Sequence, residues 1–261
     1  MTVAVAAVLA LPSRTASPDV TIVVGDHRAV ELVNLGGPPS DELLRRIAAN
    51  IGVAVEAVEV FWGIDWPRHI VVTATGSDRQ FASMAGGSAV GGTTAQWSDI
   101  AAVAVADRVD PEHRLARGQR VLFAPGAAEM STASLRIVLT HELFHYAARA
   151  DTALDAPRWL TEGVADFVAR PEATPPGSSA APLTLPTDAA LATAGPGRVQ
   201  AYDRAWGFAR FVAASYGTAR LRELYLAACG VGHADLPTAV REALGTDLTD
   251  LLARWRHSPT G

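Results

Sequence analysis

The feature that most constrains this chain of 261 residues is the pentapeptide HELFH at 141–145. It places His141 and His145 four residues apart, so on an α-helix both imidazoles project from one face and can reach one metal ion. Glu142, one residue along, faces the water that such an ion carries. The spacing therefore predicts a helix with two zinc ligands and a carboxylate base, the arrangement of a zinc hydrolase.

The surrounding sequence predicts that this helix is buried. Ser131 or Thr132 can cap its first turn, and apolar residues recur with the ligands at spacings of three and four. These apolar residues are Leu135, Val138 and Leu139. Ahead of the helix, the apolar run at 100–106 and the segment at 120–126 predict short strands, the second ended by a turn. We expect these strands to flank a cleft.

Zinc needs a third protein ligand, and the sequence offers two. Asp151 stands six positions after His145, but a ligand there requires a glycine at position 148 to turn the chain out of the helix. The residue is Ala148, which continues a helix. Glu162 follows His145 by 17 positions, on a second amphipathic helix predicted at 158–169. We predict Glu162 as the third ligand, with Asp151 as the alternative.

A second carboxylate accompanies Glu162. Asp166 stands four residues later on the same helix face, within reach of a histidine that binds the metal. A carboxylate that accepts the outer N–H of such a histidine fixes its tautomer. We expect Asp166 to act in this way, with His141 as its partner.

These motifs resemble a known family. HELFH followed by PRWLTEGVADF at 157–167 is similar to the gluzincin metallopeptidases of the thermolysin-like MA clan. A closer likeness is to the bacterial peptidase MA-like domain, whose members read HELxH, then WLxEGxA, then a tyrosine and a helix that ends in Tyr-Gly. The later blocks are matched at 201–206, 215–217, 243–248 and 255–256. The resemblance covers roughly residues 60 to 257.

The resemblance implies one Zn²⁺ per chain, held by His141, His145 and Glu162. It also implies that Glu142 is the base and that Asp166 is hydrogen-bonded to a ligand histidine. The expected activity is hydrolysis of a peptide or protein substrate by water that zinc activates.

The predicted fold class is α+β and zincin-like, with a small mixed sheet before the HExxH helix and a mostly helical part after it. We expect one metallopeptidase domain at 19–257, with its sheet in an α/β part at 19–130 and its zinc ligands in a helical part at 131–257. Further predicted elements are a hairpin at 19–24 and 29–33, a helix at 41–60, a strand at 70–74 and two or three helices from 202 onward. The stretches at 76–94 and 171–186 are predicted loops, the first either a plain connector or a segment over the cleft.

The oxyanion that forms during amide hydrolysis needs a hydrogen-bond donor besides the metal. Tyr202 follows the Glu162 helix in the family order and is the predicted donor. His233 is the alternative, and an aromatic core residue with a satisfied hydroxyl is the other interpretation of Tyr202.

Composition excludes some partners. The net charge of −5 and the lack of a basic run argue against a nucleic-acid partner. The single cysteine, Cys229, excludes an internal disulfide and is expected to be a small buried residue. Residues 1–18 contain a short apolar run at 3–11 that suggests the remnant of a signal peptide or anchor, or else a disordered start. An exported or membrane-anchored location is favoured over a cytoplasmic one, with membrane association only through a missing or trimmed N-terminal segment.

The sequence thus predicts a zinc-dependent peptidase. Two alternatives remain: a catalytically silent zincin-like binding domain, and a zinc hydrolase of a non-peptide amide. Glu142 argues against the silent domain, because a purely structural zinc site is closed by four protein ligands and needs no base.

Overall fold

The protein is described from a computed structural model, which covers residues 20–86, 100–172, 184–193 and 195–258. Its strands are β1 (Val20–Val24), β2 (Arg28–Asn34), β3 (His69–Ala74), β4 (Ala102–Val105), β5 (Arg108–Asp110), β6 (Leu115–Arg117) and β7 (Arg120–Phe123). Its helices are α1 (Pro38–Trp62), α2 (Asp78–Met84), α3 (Thr132–Ala148), α4 (Arg158–Ala169), α5 (Asp188–Ala192), α6 (Pro196–Tyr216), α7 (Thr218–Cys229), α8 (Leu236–Leu244) and α9 (Leu248–Arg256). The segment predicted at 1–18 lies outside the described residues, as do 87–94 and 173–183 of the two predicted loops.

The chain is a mixed α and β structure with a small mixed sheet, as the sequence predicts. The sheet has the order β1-β2-β3-β7-β4, and β5 pairs with β6 apart from it. Strands β2, β3 and β7 run parallel, whereas β1 and β4 pair antiparallel at the two edges. The predicted hairpin forms between β1 and β2, and its turn holds Gly25 and His27 at positive φ. Edge strand β4 contacts α3, so the sheet borders the HExxH helix directly.

One continuous apolar core joins the sheet to the helices. It runs from Val30 of β2, through the buried stripe of α1, to Trp255 of α9. Val121 and Phe123 of β7 belong to this core, and Leu122 between them packs in a second cluster, because side chains alternate along a strand. Within the described residues, no helix is both long and apolar enough to cross a membrane.

The second cluster corrects one prediction. Within the stretch at 76–94 that was predicted as a loop, residues 78–84 form helix α2, with Ser77 accepting a hydrogen bond from the Gln80 amide as its cap. Phe81 of α2 is 1% exposed and packs with Leu122 and Ala124. This phenylalanine belongs to the packing of the sheet and does not lie over a cleft.

Helices α3 and α4 form where the sequence predicts them. Ser131 caps α3 by accepting a hydrogen bond from the Ser134 amide. At the start of α4, the Arg158 and Trp159 amides donate to the two carboxylate oxygens of Asp188, at 3.1 and 2.9 Å. Asp188 belongs to α5, so a residue outside α4 satisfies the first amides of that helix.

Helix α6 packs against α4, and aromatic side chains join it to α9. Phe208 of α6 meets Trp159 of α4 and Trp255 of α9 edge to face, each with ring centroids 5.4 Å apart. Helix α6 begins six residues before the predicted start at Tyr202, and α6 to α9 exceed the two or three helices expected. The contact between α4 and α6 is close: a Cβ at Gly163 would lie 2.4 Å from the Ala205 carbonyl oxygen.

This approach generates a prediction. Gly163→Ala should lower the free energy of unfolding by about 2 kcal/mol or more, because the new methyl meets main chain of α6. Gly207→Ala on α6 is the matched control, since its Cβ would meet nothing within 4 Å and Ala is favoured over Gly in a helix by about 1 kcal/mol. Urea unfolding of the metal-free variants measures both. Equal stability of the two variants would contradict the proposed close packing.

Candidate metal centre

The structure brings His141, His145 and Glu162 together. The Nε2 atoms of the two histidines are 3.1 Å apart, and Glu162 Oε2 lies 3.2 Å from His141 Nε2 and 3.6 Å from His145 Nε2. The histidines are one turn apart on α3, and α4 supplies the glutamate from the neighbouring helix. All three residues are partly buried. The local periodicity of two helices thus produces a compact group of three candidate ligand atoms.

These distances fit a tetrahedral ion. Zinc bonds to nitrogen and oxygen of about 2.0–2.1 Å place two ligand atoms of a tetrahedron roughly 3.3–3.4 Å apart. The three observed separations lie between 3.1 and 3.6 Å, on both sides of this value. Two imidazoles and one carboxylate are also a donor set that zinc prefers.

The hydrogen bond on the outer side of His141 sharpens this fit. Its Nδ1 lies 3.1 Å from Asp166 Oδ1, and a carboxylate accepts, so Nδ1 carries the proton. Nε2 of a neutral His141 therefore presents a lone pair towards Glu162 Oε2 and His145 Nε2. When His145 Nε2 is also unprotonated, three electron-rich atoms face one another, and a cation between them would stabilise the arrangement.

The pKa shifts of His141 and Glu162 also favour positive charge at this site. Burial lowers the pKa of His141, but hydrogen bonds to Asp166 and Glu162 outweigh burial and raise this pKa well above its ordinary value. Burial alone would raise the pKa of Glu162, but the hydrogen bonds from His141 and His145 hold it well below its usual range. Without a metal, a proton on His141 partly fills the role of the cation.

Asp166 is itself held in place. Its Oδ2 lies 3.2 Å from the Arg170 guanidinium, which stacks over the Trp206 ring at 3.7 Å from the centroid. Burial raises the pKa of Asp166, but His141 and Arg170 reverse this and keep the pKa below its ordinary value. The carboxylate is therefore charged and oriented towards His141.

Glu142 of α3 is hydrogen-bonded to the edge of the sheet. Its Oε2 accepts a hydrogen bond of 2.7 Å from the Ala104 amide of edge strand β4. Burial raises the pKa of Glu142, and the nearby imidazoles of His141 and His145 oppose this rise. A carboxylate fixed through one oxygen and with a raised pKa is suited to accept a proton.

The sequence prediction did not include Arg149, which also contacts Ala104. Its Nη2 donates to the Ala104 carbonyl at 2.7 Å, so α3 and the turn after it hold both the N–H and the C=O of Ala104. Arg149 stands four residues after His145 and continues the row of His141 and His145 along the helix. That periodicity is the signal that could have identified it.

Tyr202 and Arg158 form a chain that leads to Glu162. Arg158 Nη2 donates to the Tyr202 hydroxyl at 3.2 Å, and Arg158 Nε lies 3.4 Å from Glu162 Oε1. Burial raises the pKa of Tyr202 to about 12. The two oxygens of Glu162 therefore face different groups, Oε2 the histidines and Oε1 the arginine. The sequence prediction did not include Arg158, although its spacing of four from Glu162 puts both on one helix face.

The alternative residues have other partners. Asp151 accepts from Arg114 Nε at 2.6 Å, so the structure pairs it with an arginine rather than with the histidines. His233 Nε2 lies 3.4 Å from Asp155, and its Nδ1 lies 3.1 Å from the Ala234 carbonyl. Cys229 is fully buried at the end of α7, and burial raises the pKa of its thiol.

Comparison with known proteins adds no assignment. A scan against known protein families finds no match for this chain, and a search of curated proteins finds no relative. The functional conclusion therefore rests on the side chains of the site itself.

The geometry predicts the effect of each ligand on zinc content. Wild type should bind about one zinc per chain, and His145→Ala and Glu162→Ala should lose it, since each removes one of three ligands. Asp166→Asn should keep zinc with about 10–100-fold lower affinity, because the amide no longer accepts strongly from His141. Metal analysis and competition with a chelator measure content and affinity.

Asp151→Ala is the control for this series. It removes a carboxylate six positions after His145, paired with Arg114, and should leave zinc affinity unchanged. Loss of zinc in Asp151→Ala with retention in Glu162→Ala would reverse the ligand assignment.

Proposed function

We propose that this chain is a zinc-dependent peptidase of the gluzincin type with a zincin-like fold. The observation that carries the proposal is the trio of His141 Nε2, His145 Nε2 and Glu162 Oε2 at the separations of a tetrahedral site, with Glu142 beside it and not among the ligands. A site with three protein ligands leaves a fourth position for water, as catalytic zinc sites do.

The surroundings of the site support the zincin-like interpretation. Helix α3 carries both histidines and contacts edge strand β4 of the mixed sheet, and α4 supplies the glutamate. Asp166 accepts from His141 and so aims Nε2 of that histidine at the site. These contacts follow the order of elements that the resemblance to the peptidase MA-like domain implies.

Each residue then has a role in peptide hydrolysis. Bound zinc would lower the pKa of its water towards about 7 and polarise the scissile carbonyl. Glu142, held by the Ala104 amide, accepts a proton from the attacking water and donates it to the leaving amine. Tyr202 is the proposed hydrogen-bond donor to the oxyanion, and Arg158 orients its hydroxyl.

Glu142→Gln separates chemistry from binding. The variant should retain zinc and stability but lose at least about 10²-fold in kcat, because the amide cannot accept the proton. Glu56→Gln makes the same change at an exposed position of α1 and should retain full activity. Turnover of a peptide substrate, with zinc content measured on the same samples, gives the result. Wild-type kcat in Glu142→Gln would exclude this mechanism, and zinc binding without any turnover in wild type would favour the silent binding domain.

Tyr202→Phe tests the oxyanion donor. We expect kcat to fall by about 10²–10³-fold with little change in KM, because the hydroxyl is proposed to act only in the transition state. Tyr216→Phe is a matched control on the same helix, since its hydroxyl also pairs with an arginine, Arg254. If both variants keep wild-type kcat, Tyr202 is a packing residue.

A further inference from the structure

A cavity of about 230 Å³ adjoins the metal centre on the side of His145. His145 itself is part of its lining, together with Thr152 in the turn after α3 and Tyr225 of α7. Thr161 of α4, the residue before Glu162, lines it as well. Because one candidate metal ligand belongs to the lining, a substrate held at the ion has room here for a group that neighbours the scissile bond.

The cavity contains one permanently charged side chain. All of its lining residues belong to the described part of the chain, and Arg149 is the only Arg, Lys, Asp or Glu among them. Within the described residues, this guanidinium makes one hydrogen bond, from Nη2 to the Ala104 carbonyl, and no salt bridge. Its Nε is buried without a partner, whereas Nη1 is not among the buried unpartnered atoms and stays accessible. An arginine has five N–H donors, so most of them are unused here.

The positive charge of Arg149 is only partly compensated. Burial lowers its pKa by more than the nearby carboxylate of Glu142 raises it. A partly buried cation without a close anion is unfavourable, and a carboxylate that pairs with it relieves this cost.

The hydroxyl groups of the lining are already engaged. Thr161 donates to the Arg158 carbonyl at 2.9 Å, and Thr152 donates to the Ala148 carbonyl at 2.9 Å. Tyr225 lies 2.8 Å from the Thr152 hydroxyl and must donate to it, because Thr152 has a single hydroxyl proton. An incoming acceptor therefore meets the guanidinium as the cationic donor of the cavity.

The chemistry of this donor selects a carboxylate. Guanidinium groups bind carboxylates through two parallel hydrogen bonds that are strengthened by charge. A neutral amide accepts a hydrogen bond but does not compensate the charge, and a cationic group is repelled by it.

We propose that the cavity beside His145 binds a carboxylate of the substrate on Arg149, so that the enzyme prefers peptide bonds near an acidic side chain or a C-terminal carboxylate. The inference rests on the proposed peptidase function and names its substrate class. Arg149 is then the specificity-determining residue, and its hydrogen bond to Ala104 holds the guanidinium in place.

The first test is binding without turnover. The zinc-loaded Glu142→Gln protein is titrated by NMR with a short, terminally blocked alanine peptide that carries one Glu, and with its Gln counterpart. The same alanine peptide with a free or an amidated C-terminus forms a second pair. At least one acid should bind about tenfold or more tightly than its neutral counterpart, and the two pairs distinguish the two sources of the carboxylate.

Variants of the cavity decide which group binds the acid. Arg149→Gln should reduce the ratio of affinities to within about twofold, and Arg149→Lys, which keeps the charge, should retain part of it. Tyr225→Phe removes a hydroxyl from the same cavity and should keep the ratio, because that hydroxyl is engaged with Thr152. Arg45→Gln, at an exposed position of α1, changes net charge equally and should also keep it.

Two outcomes of the titration would overturn the inference. Equal affinity for acidic and neutral peptides before any change in the cavity would do so without a variant. An acid preference that persists in Arg149→Gln would place the carboxylate on the zinc instead.

The second test is cleavage by the wild-type protein. It should show a higher kcat/KM for the Glu or free-acid peptide than for the neutral counterpart, and Arg149→Gln should lose this ratio. If Arg149 served only to hold Ala104 beside Glu142, the substitution would lower kcat equally for both peptides, and the unchanged ratio would refute the specificity role. A zinc-loaded wild type that cleaves no peptide would instead refute the peptidase proposal, and the binding ratio would still decide the cavity.

Discussion

The centre of this structure depends on the mutual approach of three electron-rich atoms, two imidazole nitrogens and one carboxylate oxygen, from adjacent helices. Such atoms repel unless positive charge lies between them. The surrounding fold opposes that repulsion: Asp166 fixes the ring of His141, Arg170 fixes Asp166, and Asp188 caps the helix that carries Glu162. These contacts therefore fix the orientation of His141 and the first turn of the helix that carries Glu162.

In the part of the chain that the structure describes, the sheet is joined to Glu142 through the main chain of Ala104. The Ala104 amide donates to Glu142 and the Ala104 carbonyl accepts from Arg149. These two hydrogen bonds join edge strand β4 to α3 at the position of the proposed base. Because the Ala104 amide holds one carboxylate oxygen of Glu142, the side chain is already oriented and its other oxygen remains for water. This coupling explains why the strand, which supplies no candidate metal ligand, is part of the centre.

Periodicity within helices made most of the site predictable. The spacing of four between His141 and His145 predicted that the two imidazoles lie on one helix face. The same spacing between Glu162 and Asp166 predicted that Asp166 lies near His141, which it contacts. The spacing of four from His145 places Arg149 in the same row of the helix, but its partner Ala104 was not predictable, because the two residues are 45 positions apart on different elements. Helix α2 was not predicted, because it lies in a glycine- and serine-rich stretch and only one of its large side chains, Phe81, is buried. Strands β5 and β6 were not predicted, because each is too short to show a clear alternation of polar and apolar residues.

The close approach at Gly163 has an evolutionary consequence. The obstacle to a side chain there is the carbonyl oxygen of Ala205, which no substitution at position 205 can remove. A lineage that replaced this glycine would have to shift α6 as a body, together with Tyr202 and Arg198, which that helix carries. The Glu-Gly dipeptide at 162–163 therefore couples the position of the helix that carries Glu162 to the position of the helix that carries Tyr202, and it is a useful marker when distant sequences are searched for the same arrangement.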